Sequence, residues 1–465
     1  MSLARPLTKK QARKAAKYHI QHIEPLLDSK MLITAYLDQI GISAPKATND
    51  ESFVLRLLCV DWWSRKLINK DVRDREAKAI FACKVAKGRE LYCSDDTVSY
   101  IRERWDETLA GMAQKMCVSD CGDELDMLEI MKSSLANPEN RRAELMVRMA
   151  GFEQYADELG DIGMFYTITC PSKYHRFAGG DLIPNKNFNG ATPKEAQQYL
   201  TKIWSQIRAE LSRHNVHPYG FRVAEPHHDG TPHWHILLFM NPTDERFVTL
   251  TMQKYALKED GHEKGAAEYR FTAKRIVKEI ITKDGVKKVS ATGYIAKYIA
   301  KNIGFDVGMD SEDESQNTET TANRVRSWSS AWGIRQFQQI GGASVSIWRE
   351  LRRLKDKEIE HDVIRAARDC CINNDWSGFL VVMGGNEVKR IEREIQLLKK
   401  TAFDAETGEI RLNRYQEIVL KVVGIAAKAT EVITHVKVWT IVQKPTLNAH
   451  DVALGAGASP HPLPR

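Results

Sequence analysis

With 465 residues, the chain has room for two or three domains and at least one large core. A composition of 43% hydrophobic and 28% charged residues matches a folded globular protein, and no run of about 18 apolar residues suggests a membrane span. The formal charge of +7, from 68 basic and 61 acidic residues, permits nucleic-acid contact but leaves the partner to be decided by where charge clusters. The N-terminus, MSLARPLTKKQARKAAKYH, lacks the apolar stretch of a secretory signal, and the eight cysteines form no regular framework. A reduced, cytoplasmic protein is the natural expectation.

Residues 1–150 read as a helical region. KKQARKAAKYHIQHIEPLL and ESFVLRLLCVDWWSRKL repeat apolar residues every three or four positions. SDDTVSYIRERWDETLAGMAQKM continues that pattern, with Ser94 or Asp95 as its cap. Cys117 and Cys121, with Cys93 upstream, are candidate ligands of a structural zinc ion, although a CxxC pair is missing.

The pattern changes at Gly163. MFYTITCP is a short β-branched and aromatic run stopped by Pro171. A helix is expected through TPKEAQQYLTKIWSQIRAELSRHN, then two strands, GFRVAE and HWHILLFM, joined by the turn-rich PHHDGTP. Between 251 and 282 the charged sequence is ambiguous, with helical character strongest in FTAKRIVKEI. TGYIAKYIAKNIG is a further helix, ending at Gly304. Residues 306–323 are acidic and polar and predict a linker or loop. Residues 324–442 form a basic, aromatic and mostly helical C-terminal region, and 443–465 a frayed tail.

Chemistry concentrates in two places. His233 and His235 alternate along a strand, so both imidazoles leave the same face and can bind one divalent ion. On the preceding strand, a hairpin closed by PHHDGTP can lay Glu225 beside either histidine. Two imidazoles and one carboxylate leave coordination positions for water and a phosphate oxygen, as a catalytic site requires. His227 and His228 are rival ligands in the turn, and a chance pair of half-buried histidines is the plainer alternative.

Tyr294 and Tyr298 stand four apart in a helical segment, which puts both phenols on one face, a turn apart. Lys297 and Lys301 each follow a tyrosine by three residues. A phenol with a pKa of about 10 is a poor nucleophile unaided, so a metal that polarises the phosphate and a nearby ammonium would both assist attack. The competing reading is an amphipathic helix whose tyrosines pack on a sheet.

FYTIT, HPYGFRVAEPHHDGTPHWHILLF and GYIAKYIAKNIG resemble, in that order, the three motifs of HUH endonucleases. With the later RVRSWSSAWGIRQFQQIGG they look more closely like the bacteriophage and prophage replication gene A proteins, over about residues 160–355. The resemblance implies an α+β fold: a central antiparallel sheet flanked by helices, the HUH core spanning 160–305. It implies that His233, His235 and Glu225 hold Mg²⁺ or Mn²⁺, that Tyr294 and Tyr298 are alternating nucleophiles, and that Lys297 positions or stabilises charge. Phe165–Thr169 would be the structural first-motif strand. The implied activity is rolling-circle origin nicking of single-stranded DNA in the bacterial cytoplasm, with a 5′-phosphotyrosine link, a free 3′ hydroxyl and later rejoining. No G-x-x-x-x-G-K-[ST] loop is present, so a separate helicase is the expected partner, and no membrane.

Arg324, Arg326 and Arg335, interleaved with Trp328 and Trp332, are candidates to hold phosphates and stack bases of a single strand; the alternative is an amphipathic module with core tryptophans. Lys274 and Arg275 are further basic candidates. Two other functions compete with nicking: a DNA-binding protein without catalysis, and a metal-dependent nuclease that uses water.

Overall fold

The computed structural model describes residues 5–178, 182–277, 279–282, 285–288, 290–303, 318–404 and 407–445. Its centre is a five-stranded antiparallel sheet made of β1 (Ile162–Ile168), β2 (Tyr219–Pro226), β3 (Pro232–Met240), β4 (Phe271–Arg275) and β5 (Phe337–Ile340). Their order across the sheet is β5-β2-β3-β1-β4. The helices used below are α1 (Val60–Phe81), α2 (Asp95–Ala113), α3 (Pro138–Leu159), α4 (Pro193–Arg213), α5 (Ala291–Ile303), α6 (Thr318–Trp332) and α7 (Trp376–Val382). The α+β class expected from the sequence is what the molecule adopts.

Alternation along β3 explains the layering. Trp234, Ile236, Leu238 and Met240 enter one core with Ile203, Trp204 and Ile207 of α4 and Val325, Trp328 and Trp332 of α6. Leu237 and Phe239, on the face that also bears His233 and His235, enter a second core with Phe152 of α3, Ile295 and Ile299 of α5, and Trp376 of α7. A third cluster, around Trp63, belongs to the helices Lys9–Ile23, Lys30–Gln39, Asp50–Leu57 and α1. No helix among the described residues is long and apolar enough to cross a membrane.

Close approach within the sheet depends on Gly220, whose φ is +148° and whose added Cβ would lie 2.1 Å from the Leu237 carbonyl oxygen on β3. Replacing Gly220 with Ala is therefore expected to destabilise the protein by about 1–3 kcal/mol. A fall in the urea midpoint with unchanged slope would register it; an unmoved midpoint would show that the strand yields freely.

Several expected elements fall where the sequence puts them. Ser94 caps α2, accepting from the Thr97 amide at 3.2 Å, and Thr192 with Glu195 forms a capping box on α4. Other expectations need correction. The first half of FTAKRIVKEI is not helical: Phe271–Arg275 is the edge strand β4, because pairing with β1 gives its backbone ladder partners and buries Phe271. After α7 the C-terminal region is not helical either. Ile395–Thr401, Leu420–Ala427 and Thr430–Ile433 form a second antiparallel sheet, and Trp439–Gln443 pairs with Lys115–Ser119 inside the N-terminal region. The β-branched Val422, Val423, Ile425, Val432 and Ile433 favour the pleated surface over a helix. Of the expected acidic linker, 306–317 lies outside the described residues and 318–323 belongs to α6; of the expected tail, 446–465 lies outside them.

Candidate active site

The hairpin of β2 and β3 lays Glu225 beside a histidine, as the sequence allowed. Glu225 pairs directly with His233, and Val223 with His235. The two imidazole Nε2 atoms are 2.9 Å apart, and one ligand atom from each of Glu225, His233 and His235 lies within 4.8 Å of the others. All three side chains are largely buried. The connecting turn is tied down from several sides. The Thr231 amide donates to Asp229 Oδ1 at 3.0 Å, the Arg176 amide to Asp229 Oδ2 at 3.1 Å, and Trp328 Nε1 to the Gly230 carbonyl at 2.8 Å. Burial works against the charge of Asp229, but the His175 and His227 imidazoles and the Thr231 amide hold its carboxyl well below the ordinary carboxylate range.

On the neighbouring strand β1, Thr167 pairs with His235, and its hydroxyl lies 3.0 Å from His235 Nδ1. A partner on Nδ1 fixes the ring and leaves Nε2 directed at the cluster. A nitrogen separation of 2.9 Å also suits two adjacent ligands at right angles on an ion bonded at about 2.0–2.1 Å, which would stand about 3 Å apart. The donor set therefore fits one divalent cation. Among the described residues it is the only His, Cys, Asp and Glu group so disposed.

The tyrosine helix α5 lies over this face. Ala291, Ile295, Ile299 and Ile303, four residues apart, are its buried stripe, and Tyr294 and Tyr298 flank it, half-buried. The Tyr298 ring lies 4.1 Å from the His235 ring and stacks on Phe165 at 5.5 Å. Tyr294 lies 6.0 Å from Phe165, on the side where Lys274 of β4 places its ammonium 5.2 Å from the phenol ring centre. Lys297 is exposed on the same helix. Glu153 of α3 caps the helix start, accepting from the Ala291 amide at 2.7 Å and the Thr292 amide at 3.0 Å.

A link between helix and hairpin was invisible in the sequence. Asn302 donates through Nδ2 to Glu225 Oε1 and accepts at Oδ1 from Gln336 Nε2 at 2.7 Å. Asn302 is buried four residues beyond Tyr298, and its Nδ2 also reaches the Tyr298 carbonyl. Only the position of Asn302, one helical turn after a motif tyrosine, could have pointed to it.

Two candidate groups need correction. Trp328 and Trp332 are 0% and 2% exposed within the core, so neither has a face for a DNA base. Arg324 is committed internally, donating to the carbonyls of Leu91 and Cys93 and pairing with Asp95 at 2.5 Å. Arg326 donates to the Ile303 carbonyl at 3.2 Å, and Arg335 is exposed. Cys93, Cys117 and Cys121 do not assemble a zinc site: Cys93 faces the Arg324 carbonyl, Cys117 lies against Met127 Sδ, and Cys121 is exposed. The His227 ring is tilted beside His233, 4.1 Å between ring centres, but is outside the three-residue group.

The fold and site define an α+β protein whose central antiparallel sheet carries a His-x-His and Glu cluster beneath a helix with two tyrosines. A profile of the bacteriophage replication gene A protein matches residues 7–306, and the chain belongs to that family. It is 38% identical over 399 residues to the probable replication protein P12 of Pseudoalteromonas phage PM2, covering 84% of this chain and 59% of that protein. It is 37% identical over 417 residues to the replication gene A protein of Escherichia phage 186, covering 87% of this chain and 58% of that one. It is 31% identical over 420 residues to a probable replication endonuclease from a prophage-like region of Salmonella paratyphi A, covering 87% and 50%. The chain thus spans about half to three-fifths of the length of these relatives. No solved structure matches it.

Proposed function

We propose that this chain is an origin-nicking replication endonuclease with an HUH-type core, cutting single-stranded DNA through a tyrosine and remaining joined to the 5′ end. The observation that carries the reading is the Tyr298 ring 4.1 Å from His235, itself one of three convergent side chains that could ligate a metal. Relatives whose names include replication endonuclease support the same class.

Glu225, His233 and His235 would hold Mg²⁺ or Mn²⁺, which supplies Lewis-acid polarisation of the scissile phosphate. The remaining work falls to the protein. Tyr298 Oη attacks phosphorus, and the P–O3′ bond breaks. The phenolic proton is lost as the phosphotyrosine ester forms, and the departing 3′ oxygen gains one to become the primer hydroxyl. Lys274 and Lys297 offer positive charge beside Tyr294 and on the helix, where anionic oxygens would gather. The ester keeps the energy of the broken bond, so a later 3′ hydroxyl can displace the tyrosine and reseal DNA without ATP. A second tyrosine one turn away allows a second cut before the first end is released. Origin DNA and a separate helicase are the partners this cycle needs, in the cytoplasm of a bacterial host.

The test is incubation of the full chain with pooled single-stranded oligonucleotides and Mn²⁺. A covalent protein–DNA species lost when Tyr294 and Tyr298 both become Phe is expected. Cutting that persists in this double variant, with unattached 5′ ends, would mean a water-using nuclease; binding without cutting would mean a DNA-binding protein. A further prediction concerns Asn302, which holds Glu225. Asn302→Ala is expected to weaken Mn²⁺ binding by about 10- to 100-fold, followed by electron paramagnetic resonance, with nicking recovered at high Mn²⁺. Unchanged affinity would remove Asn302 from the supporting shell.

A further inference from the structure

Helix α2 turns Val98, Ile101, Arg102, Trp105 and Thr108, spaced by three and four, into an open cleft of about 890 Å³, a size typical of ligand-binding clefts. The segment 131–141 and helix α6 form its other walls. Arg102, Arg104, Lys132, Arg141, Arg324 and Arg326 line it, and among the described residues no Asp or Glu does. Three acids of α2, Asp96, Glu103 and Glu107, face a second cleft, where Lys9 lies 3.5 Å from Glu107. Arg324 pairs with Asp95, whereas no carboxylate among the described residues pairs with the other five cations.

Arg141 and Arg326 matter most. Both line the cleft, and burial, then the like charge of Arg326, pulls Arg141 below the usual guanidinium value. Such an arrangement is repaid when an anion enters. Trp105, 45% exposed, offers the cleft an aromatic face.

The cleft also reaches the helix that bears the tyrosines. Ile303, in the last described turn of α5, lines it and accepts a hydrogen bond from Arg326. Tyr298 is five residues back, about 7–8 Å along the helix axis. At the other wall the Arg141 guanidinium lies 5.7 Å from the Phe337 ring. Phe337 pairs with Val223, and Val223 with His235, so one row across three strands, about 10 Å, joins Arg141 to the metal-ligand strand.

We propose that this cleft carries the single-stranded DNA that reaches the tyrosines, with phosphates on Arg141 and Arg326 and an unstacked base on Trp105. The assignment rests on the nicking reading for its direction, but it is tested without chemistry. A fluorescein-labelled oligodeoxythymidylate is titrated with the full chain in EDTA and followed by anisotropy. Arg141→Gln with Arg326→Gln is expected to weaken binding at least about tenfold. Its log-log salt slope should be shallower by about 1.4, two contacts at about 0.7 each. Trp105→Ala should cost about five- to a hundred-fold. Arg141→Lys with Arg326→Lys should recover most of the affinity, and Lys399→Gln with Lys421→Gln, on the exposed C-terminal sheet, should leave it unchanged. Unaltered binding in the cleft variants, an equal loss in the Lys399 and Lys421 control, or preference for duplex over single strand would each overturn the proposal. The two readings separate cleanly: cleft variants that lose binding support the cleft even if no covalent adduct ever forms. Undiminished adduct formation by those variants would defeat the cleft alone.

Discussion

Replacing His235 with Ala is expected to lower metal-dependent nicking by about 10²–10³-fold or more. His235 serves three neighbours at once. Its Nε2 lies 2.9 Å from His233 Nε2, its Nδ1 is anchored by Thr167, and its ring supports Tyr298. The variant should lose Mn²⁺ binding by calorimetry together with cutting, and the adduct should not return at saturating Mn²⁺. His233→Ala should behave similarly, whereas His227→Ala, in the turn and outside the three-ligand group, should keep at least about a third of the activity. Full metal binding by His235→Ala would refute the ligand assignment.

The two tyrosines are expected to differ, by at least about a thousand-fold in the first cut. Tyr298 lies against His235, while Tyr294 sits a turn away between Phe165 and Lys274. Tyr298→Phe should therefore abolish the first covalent adduct. Tyr294→Phe should form that adduct and fail in the later joining of displaced strand ends. Digestion with trypsin separates the candidates, because cleavage after Lys297 leaves Tyr294 in VSATGYIAK and Tyr298 in YIAK. Mass spectrometry of the nucleotide-bearing peptide reads the order directly. A first adduct on VSATGYIAK would reverse it.

Much of this site was legible residue by residue. The two-residue period of a strand put His233 and His235 on one face, and the four-residue period of a helix did the same for Tyr294 and Tyr298. The turn chemistry of PHHDGTP set the hairpin that pairs Glu225 with His233. The less legible parts share a cause. FTAKRIVKEI has helical propensity, yet the unpaired edge of β1 recruits Phe271–Arg275 as a strand. Trp328 and Trp332 look like a nucleic-acid surface beside their arginines, until α6 packs both indoles into the core under β3. After Ile395, Leu420–Ala427 and Thr430–Ile433 form a tight hairpin, but Trp439–Gln443 finds its partner far up the chain in Lys115–Ser119.

Local periodicity, caps and turn residues by themselves determined which side chains share a face: the histidine pair, the tyrosine pair and the hairpin between Glu225 and His233. Only the tertiary structure decided which faces meet. It set Tyr298 on His235, coupled Asn302 to Glu225, buried Trp328 and Trp332, and opened a cleft between the N-terminal helix α2 and α6 that no acid among the described residues lines. The physical reason is range. Side-chain direction follows from backbone dihedrals a few residues long, whereas burial and charge pairing depend on partners that folding brings together from far along the chain.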